Sequence, residues 1–282
     1  MTPMTWTFTE DLTAYLDAAG PAVAAHPVPN TLLLTTADAL RRRGPHAFGS
    51  GTPYFGWWTG PDGVVAAGAV CTPPNPLLVG ALPAEALTAL ARALHTEPLL
   101  ADVAGFNARR SDAEALVAAW GRPVDIEQNR LFRLGTLVAP SPAPAGSARL
   151  ATEEDLPLVL DWMGAFAVEA DTLRAGPSWA RDRLSYGGVL LWQDAAGTPV
   201  SLASFSRPQA GASRVGPVYT PPEARGRGYG AGATHAASLG ARAAGAAEVI
   251  LFTDLANPTS NRLYPRLGYT PTGDRSVVLA RT

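Results

Sequence analysis

Residues 214–245 read RVGPVYTPPEARGRGYGAGATHAASLGARAAG. A short β-favouring run, RVGPVYT, gives way to the connection PPEAR and then to glycines at 226, 228, 230 and 232 that open an Ala-rich helical segment. A helix that begins this way leaves its first backbone N–H groups without intrahelical acceptors, with the positive end of the helix dipole behind them. Such a seat suits phosphate oxygens, and glycine lets the chain turn with positive φ and approach the anion closely. Arg225 and Arg227 add charge suited to a diphosphate.

The segments around the seat form a regular pattern. ARLATEEDLPLVLDWMGAFAVEA (148–170) reads as a short strand, a Thr152 N-cap with acids in the first turn, and an amphipathic helix. SYGGVLLWQDAAGTPVSLASFSRP (185–208) alternates through two strands joined by a Gly-containing turn, and SRVGPVYT is a third. After the Ala-rich helix, AEVILFTD (247–254) is a nearly all-apolar strand, and NPTSNRLYPRLGY (257–269) is a helix with Asn257 as N-cap and Pro258 as its first residue. The predicted order of this half is β-α-β-β-β-α-β-α-β.

LVAPSPAPAGSARL (137–150), rich in Pro and Ala and without periodicity, reads as a linker near the midpoint. The first half repeats part of the second. YFGWWTGPDGVVAAGAVCTPP (54–74) parallels the strand-turn-strand at 189–208, and ADVAGFNARRSDAEALVAAWGRP (101–123) parallels the strand and helix that begin at 247. Between them, NPLLVGALPAEALTALARAL (75–94) has no counterpart of RGRGYG. The pattern is that of an internal duplication in which the second copy keeps the glycine turn and the chemistry.

The glycine turn is compatible with few phosphate-binding patterns. The nucleotide P-loop ends in Gly-Lys-Ser/Thr, and this chain has no Lys. GRGYGA formally fits the dinucleotide fingerprint, with Asp254 closing the next strand. Against it, PPEAR separates the strand from the first glycine, and the chain ends after a single β-α-β unit.

A third pattern is more specific. Arg225, Gly228 and Gly230 match Arg/Gln-x-x-Gly-x-Gly/Ala, and FTDLANPTSNRLYPRLGY supplies a strand, an Asn, and a helix carrying Tyr before Gly-Tyr. In these motifs residues 213–270 resemble the GCN5-related N-acetyltransferases (GNAT), and the first 136 residues share only the element order. The resemblance implies an α/β fold, a mixed and mostly antiparallel central sheet flanked by helices, in two tandem GNAT-like domains. These would be a degenerate copy at 1–136, a linker at 137–147 and an acyltransferase domain at 148–282. It further implies that the backbone of Val218, Tyr219 and Thr220 lies along the pantetheine arm of acetyl-CoA. Arg225, Gly226, Arg227, Gly228, Tyr229 and Gly230 would hold its diphosphate, Asn257 and Ser260 would meet the pantetheine arm, and Tyr264 would protonate the departing thiolate.

Tyr264 follows Asn257 by seven residues, two helical turns, so both fall on one helix face. By the same resemblance Glu169, near the end of the first helix of the second half, lies where an acceptor pocket is lined and is the candidate general base. Trp162, Phe166 and Trp192 are candidates for the apolar wall of that pocket. Glu223 reads as a loop charge paired with an arginine, and His235 as a helix-surface or packing residue.

Composition excludes several classes. Of 282 residues 47% are apolar and 16% charged, a globular balance. All 22 basic residues are Arg; residues 1–140 hold 9 of them against 12 acids, and residues 141–282 hold 13 against 12. Neither half has the strongly basic character of a DNA-binding domain. Cys71 is alone and reads as a buried hydrophobe, the four His and one Cys form no metal-ligand spacing, and FGSG (48–51) reads as a turn rather than a hydrolase nucleophile. The N-terminus lacks a signal-peptide pattern, and no apolar run reaches the roughly 20 residues of a membrane span. The expectation is a cytoplasmic, metal-free monomer, two copies in one chain replacing a dimer, that moves an acetyl group from acetyl-CoA to a small-molecule amine. The alternatives are a GNAT-fold transferase with aminoacyl-tRNA as donor and a non-catalytic CoA-binding module.

Overall fold

The computed structural model describes residues 5–172 and 175–281. They form two compact units: the first gathers the chain up to Arg130 with Asp254–Ala256 and the residues from Gly273 onward, and the second gathers Leu131–Thr253 with Asn257–Thr272.

The first unit runs β1 (Thr5–Thr9), α1 (Leu12–Ala24), α2 (Thr31–Arg43), β2 (Tyr54–Thr59), β3 (Val65–Cys71), β4 (Leu77–Val79), α3 (Ala84–Thr96), β5 (Gly105–Arg109), α4 (Arg110–Trp120) and β6 (Val124–Leu134). The last four residues of β6 belong to the second unit. That unit continues through β7 (Ser147–Leu150), α5 (Leu156–Glu169), α6 (Pro177–Leu184), β8 (Val189–Gln193), β9 (Pro199–Phe205), β10 (Ala212–Tyr219), α7 (Tyr229–Ala243), β11 (Glu248–Asp254), α8 (Pro258–Arg266) and β12 (Tyr269–Ala280). Single 3₁₀ turns aside, both halves read β-α-α-β-β-β-α-β-α-β; for the second half this is the order expected except for the second helix. In the second half that helix is α6, whose one sequence signal is Pro177 at its first position after Gly176.

In the second unit the strands lie in the order β11-β10-β9-β8-β7, and only β10 and β11 run parallel. On one face lies α7. Its Ala233, Ala237 and Ala241 are fully buried, a Cβ on Gly232 would stand 2.7 Å from the Trp192 ring, and one on Gly240 2.8 Å from Phe205. The Ala-Gly composition is therefore a packing requirement: the helix lies too close to the sheet for larger side chains. On the other face, Val159, Trp162 and Met163 of α5 and Ala180 of α6 pack on Leu191, Leu202 and Tyr219. Thr152 caps the turn into α5 as read from sequence. Asp155 accepts the Thr152 N–H at 2.8 Å and both Arg149 terminal nitrogens at 2.6 and 2.7 Å, which holds its carboxyl down to about 2.

In the first unit the order is β1-β2-β3-β4-β5, and β12 pairs antiparallel with β5 from Arg275↔Arg109 to Leu279↔Gly105. The final strand of the chain thus completes the sheet of the first half. Cys71 is buried, as expected. Arg275 is buried as well and is held by hydrogen bonds: Nε donates to Asn107 Oδ1 at 2.8 Å, and the NH2 nitrogen to the carbonyls of Val79 at 2.8 Å and Asn107 at 2.7 Å. Replacing Arg275 by Met leaves two buried carbonyls and an amide oxygen without donors. It is expected to cost about 3 kcal/mol in denaturant unfolding, and a variant as stable as the parent would mean that these bonds do not hold β4 to β5.

Candidate functional site

The site begins where two parallel strands part. β10 pairs with β11 through Ala212, Ser213 and Arg214, opposite Glu248, Val249 and Ile250. Beyond Arg214 its described pairing is with β9 alone, and the register slips between Val215 and Val218, a stretch that contains Gly216 and Pro217. Pro217 has no N–H to give either neighbour. Val218 and Tyr219 then pair with Ala203 and Leu202, while their other edge faces the gap left by β11.

At the end of β10 the chain makes a 3₁₀ turn, Pro222–Ala224, and enters α7 through two left-handed glycines, Gly226 at φ 76° and Gly228 at φ 79°. Of the four glycines of the turn these two take the positive φ for which glycine was expected there. The consequence is a run of unsatisfied donors: among the described residues no protein acceptor meets the N–H groups of Gly226, Arg227, Gly228, Tyr229 or Gly230, and the next two, Ala231 and Gly232, both bond Gly228 O. With a 15-residue helix behind it, this run has the donors and the dipole that suit an anion. Gly230 keeps the seat against the strand end, since a Cβ there would stand 3.2 Å from Thr220 Oγ1. Thr220 Oγ1 is in turn 2.8 Å from Ser201 Oγ, which donates to Tyr219 O at 3.0 Å.

The two arginines of the loop divide. Arg225, expected at the diphosphate, turns to α5: its NH2 nitrogen donates to both oxygens of Glu169 at 2.8 and 2.6 Å, and its Nε to Thr220 O at 2.9 Å. Its guanidinium also lies over the Tyr219 ring, 5.9 Å from the centroid, and the Tyr219 hydroxyl donates weakly to Glu169 at 3.5 Å. Arg227 has no ion pair among the described residues and remains the cation beside the seat. Glu169, expected as a base, is the counter-ion of Arg225. Glu223, expected to pair with an arginine, has no ion pair among the described residues.

On α8 the Asn257 side chain caps the helix, Oδ1 accepting the Ser260 N–H at 3.0 Å. Tyr264 is buried, its ring meeting Phe132 at 5.9 Å and Tyr269 at 6.1 Å. Burial pushes its phenol above the ordinary 10, with the Ser260 hydroxyl pulling weakly the other way. Tyr269 OH lies 2.6 Å from Ser238 Oγ of α7, so a buried polar contact ties this aromatic group to the seat helix. His235 of α7 is half-buried, and burial lowers its pKa.

The three pocket aromatics are not gathered in one place. Trp162 and Phe166 of α5 lie on the face of Tyr219, Trp162 with its ring 6.2 Å from it. Trp192 points to the opposite face, where its ring fills the space at Gly232 and its Nε1 donates to Ala145 O at 2.9 Å. Strand alternation decides this: Leu191 takes the α5 face, so Trp192 must take that of α7. Among the described residues no three His, Cys, Asp or Glu side chains gather as a metal site, and no helix is long and apolar enough to cross a membrane.

Comparison with known proteins bears on the family. The profile of the acetyltransferase (GNAT) family matches residues 157–269. That segment is a GNAT acetyltransferase domain. No curated protein sequence matches the chain. Solved structures share its fold over the full length. A Drosophila protein is 13% identical, with 99% of each chain covered and a TM-score of 0.67. A GNAT-family acetyltransferase from Colwellia psychrerythraea is 12% identical over 99% of this chain and 100% of its own, with a TM-score of 0.64. A tandem GNAT protein from the clavulanic acid biosynthesis pathway is 17% identical over 98% of each, with a TM-score of 0.55.

Within the GNAT domain, the direction of the Tyr264 shift makes a pH prediction. A phenol raised above 10 stays protonated throughout the neutral and mildly alkaline range, so its capacity as a proton donor is lost only as pH rises past that raised value. The tyrosinate absorbance of the protein minus that of Tyr264→Phe should therefore develop at higher pH than that of an exposed tyrosine. A difference signal that develops with, or before, that of an exposed tyrosine would place Tyr264 in water.

Proposed function

We propose that the second unit moves an acetyl group from acetyl-CoA to the amine of a small molecule by direct transfer. The observation that carries this reading is the run of five unsatisfied N–H groups, Gly226 to Gly230, standing at the end of a strand whose neighbour has moved away. The seat suits the diphosphate of the donor, with Arg227 beside it, and the freed edge of β10 at Val218 to Thr220 offers backbone groups to an extended arm. Asn257 and Ser260 stand at the start of α8 for the same arm.

When bound, acetyl-CoA supplies a thioester carbonyl. The neutral amine forms a bond to that carbon, the C–S bond breaks, the nitrogen sheds a proton and the thiolate takes one. The chain's part is to polarise and to protonate. The Val218 N–H is the donor proposed for the carbonyl oxygen, and Tyr264, kept neutral by burial, is the proton source proposed for the sulfur. Both Glu169 oxygens are engaged by Arg225, so its proposed role is to position Arg225 and Tyr219 at the acceptor side. Trp162 and Phe166 are proposed for the apolar wall there.

Thermal-shift titration tests the donor. Acetyl-CoA at 100 times its dissociation constant should stabilise the protein by about 2.7 kcal/mol, several degrees in melting temperature. Gly228→Glu should abolish the response by placing a carboxylate in the seat. Gly228→Ala controls for the positive φ, at a cost of about 1 kcal/mol in stability. Tyr264→Phe should keep the acetyl-CoA response and lose at least about tenfold in thiol release with an amine acceptor. No stabilisation of the parent by any CoA species would sink the proposal.

A further inference from the structure

Three arginines meet in the second unit where α6 turns into β8, β9 ends and β10 begins. Arg183 is near the end of α6, Arg207 lies two residues beyond β9, and Arg214 is the third residue of β10. Arg207 stacks on the Tyr186 ring at 4.0 Å and donates to Ser185 Oγ at 2.9 Å. Arg183 lies over the Trp179 ring at 5.3 Å. Tyr186 is fixed between them, its hydroxyl donating to Phe205 O at 2.7 Å. Burial, and then the nearby charge of Arg183, push Arg214 down to about 10.

Among the described residues each of the three guanidiniums keeps a buried nitrogen with no hydrogen-bond partner: Arg183 NH1, Arg207 Nε and Arg214 NH1. Asp182, 3.6 Å from Arg207, is the carboxylate that the described ion pairs bring to the cluster. Cations desolvated together repel one another and are retained only where something compensates them. Arg275 in the first unit shows what a structural buried arginine looks like in this chain, with its NH2 and Nε saturated by carbonyl and amide oxygens. The three at β10 are not built that way. Three forks with net positive charge suit a small oxyanion, and guanidinium geometry matches carboxylate and phosphate alike.

The location gives the oxyanion a role. Arg214 is the last residue of β10 with a partner on β11 and directly precedes the register slip. At about 3.3 Å per residue, Val218 is roughly 13 Å further along, a span covered by one arginine side chain and a molecule of amino-acid size. We propose that Arg183, Arg207 and Arg214 form an oxyanion subsite that holds the acidic group of the acceptor, so that the substrate is an amine bearing a carboxylate or phosphate. The acceptor role rests on the acetyl-transfer reading; the oxyanion site does not.

The test uses the full chain at constant ionic strength, balanced with chloride, and follows melting temperature as acetate or inorganic phosphate is added. One of the two should raise it for the parent and not for Arg214→Met or Arg207→Met, with the acetyl-CoA response kept in both variants. Without oxyanion, Arg214→Met should melt no lower than the parent, because it removes an unpaired buried charge; should it fail to fold, Arg207→Met carries the comparison. The responding anion names the acceptor class. For acetate, β-alanine should have a KM about tenfold or more below that of propylamine, and for phosphate, phosphoethanolamine should have that advantage over ethanolamine, with the preference lost in the variants. Equal anion responses in parent and variants, or none, overturn the subsite whether or not acetyl-CoA binds. Anion responses that follow the prediction without any acetyl-CoA response overturn only the acetyl-transfer reading.

Discussion

The separation of β10 from β11 after Arg214 is the constraint from which the site follows. A strand that loses a neighbour must place its backbone groups elsewhere or leave them for water or a ligand. β9 takes one edge of β10 with more than its ladder: Ser204 donates to Gly216 O at 2.7 Å and Ser201 to Tyr219 O at 3.0 Å, which secures the irregular stretch around Pro217. The other edge is released for as long as β11 stays away. Past the 3₁₀ turn that follows this strand, the N–H groups of Gly226 to Gly230 are likewise without protein acceptors among the described residues.

The same elements in the first unit show what closing the gap requires. There β4 pairs with β5 only through Leu77 and Leu78, and the parting strands are bridged by the guanidinium of Arg275, which joins Val79 O to Asn107 O. Arg109 donates to Leu82 O at 2.9 Å, and Asn30 Oδ1 accepts the Ala81 N–H at 2.8 Å, so the turn into α3 is satisfied from within. α3 itself begins after Pro83 with Glu85 in its first turn, a poor place for an anion. The element order is shared, and here the side chains of Arg275, Arg109 and Asn30 occupy the backbone groups at the strand ends.

What the sequence disclosed was local. Gly226 and Gly228 were legible because their left-handed backbone excludes other residues at little cost only when the residue is glycine, and the Asn257-Pro258 start of α8 was legible because a cap and its helix are adjacent in the chain. The repeat was legible as an order of elements. Pairings across long separations were not. Arg225 and Glu169 are 56 residues apart, and Arg275 bonds Asn107 across 168, with no periodicity to announce either. Trp192 was misplaced because one residue of register decides the face of a strand, and an aromatic suits either face.

Magnitudes separate what the Arg225–Glu169 pair does from what it appears to do. The side chains retain 47% and 44% of their exposure, and pairs this open add little to stability. Its effect lies in placement. Arg225 is held at three points, Thr220 O, the Glu169 carboxylate and the Tyr219 ring, and it immediately precedes the seat. The glycines that make close approach possible would otherwise leave the loop with many conformations to lose on binding. Fixing Arg225 to the end of α5 removes part of that freedom in advance, so the guanidinium that the motif suggests as a phosphate ligand is spent on holding the loop, and Arg227 is left without an ion pair among the described residues.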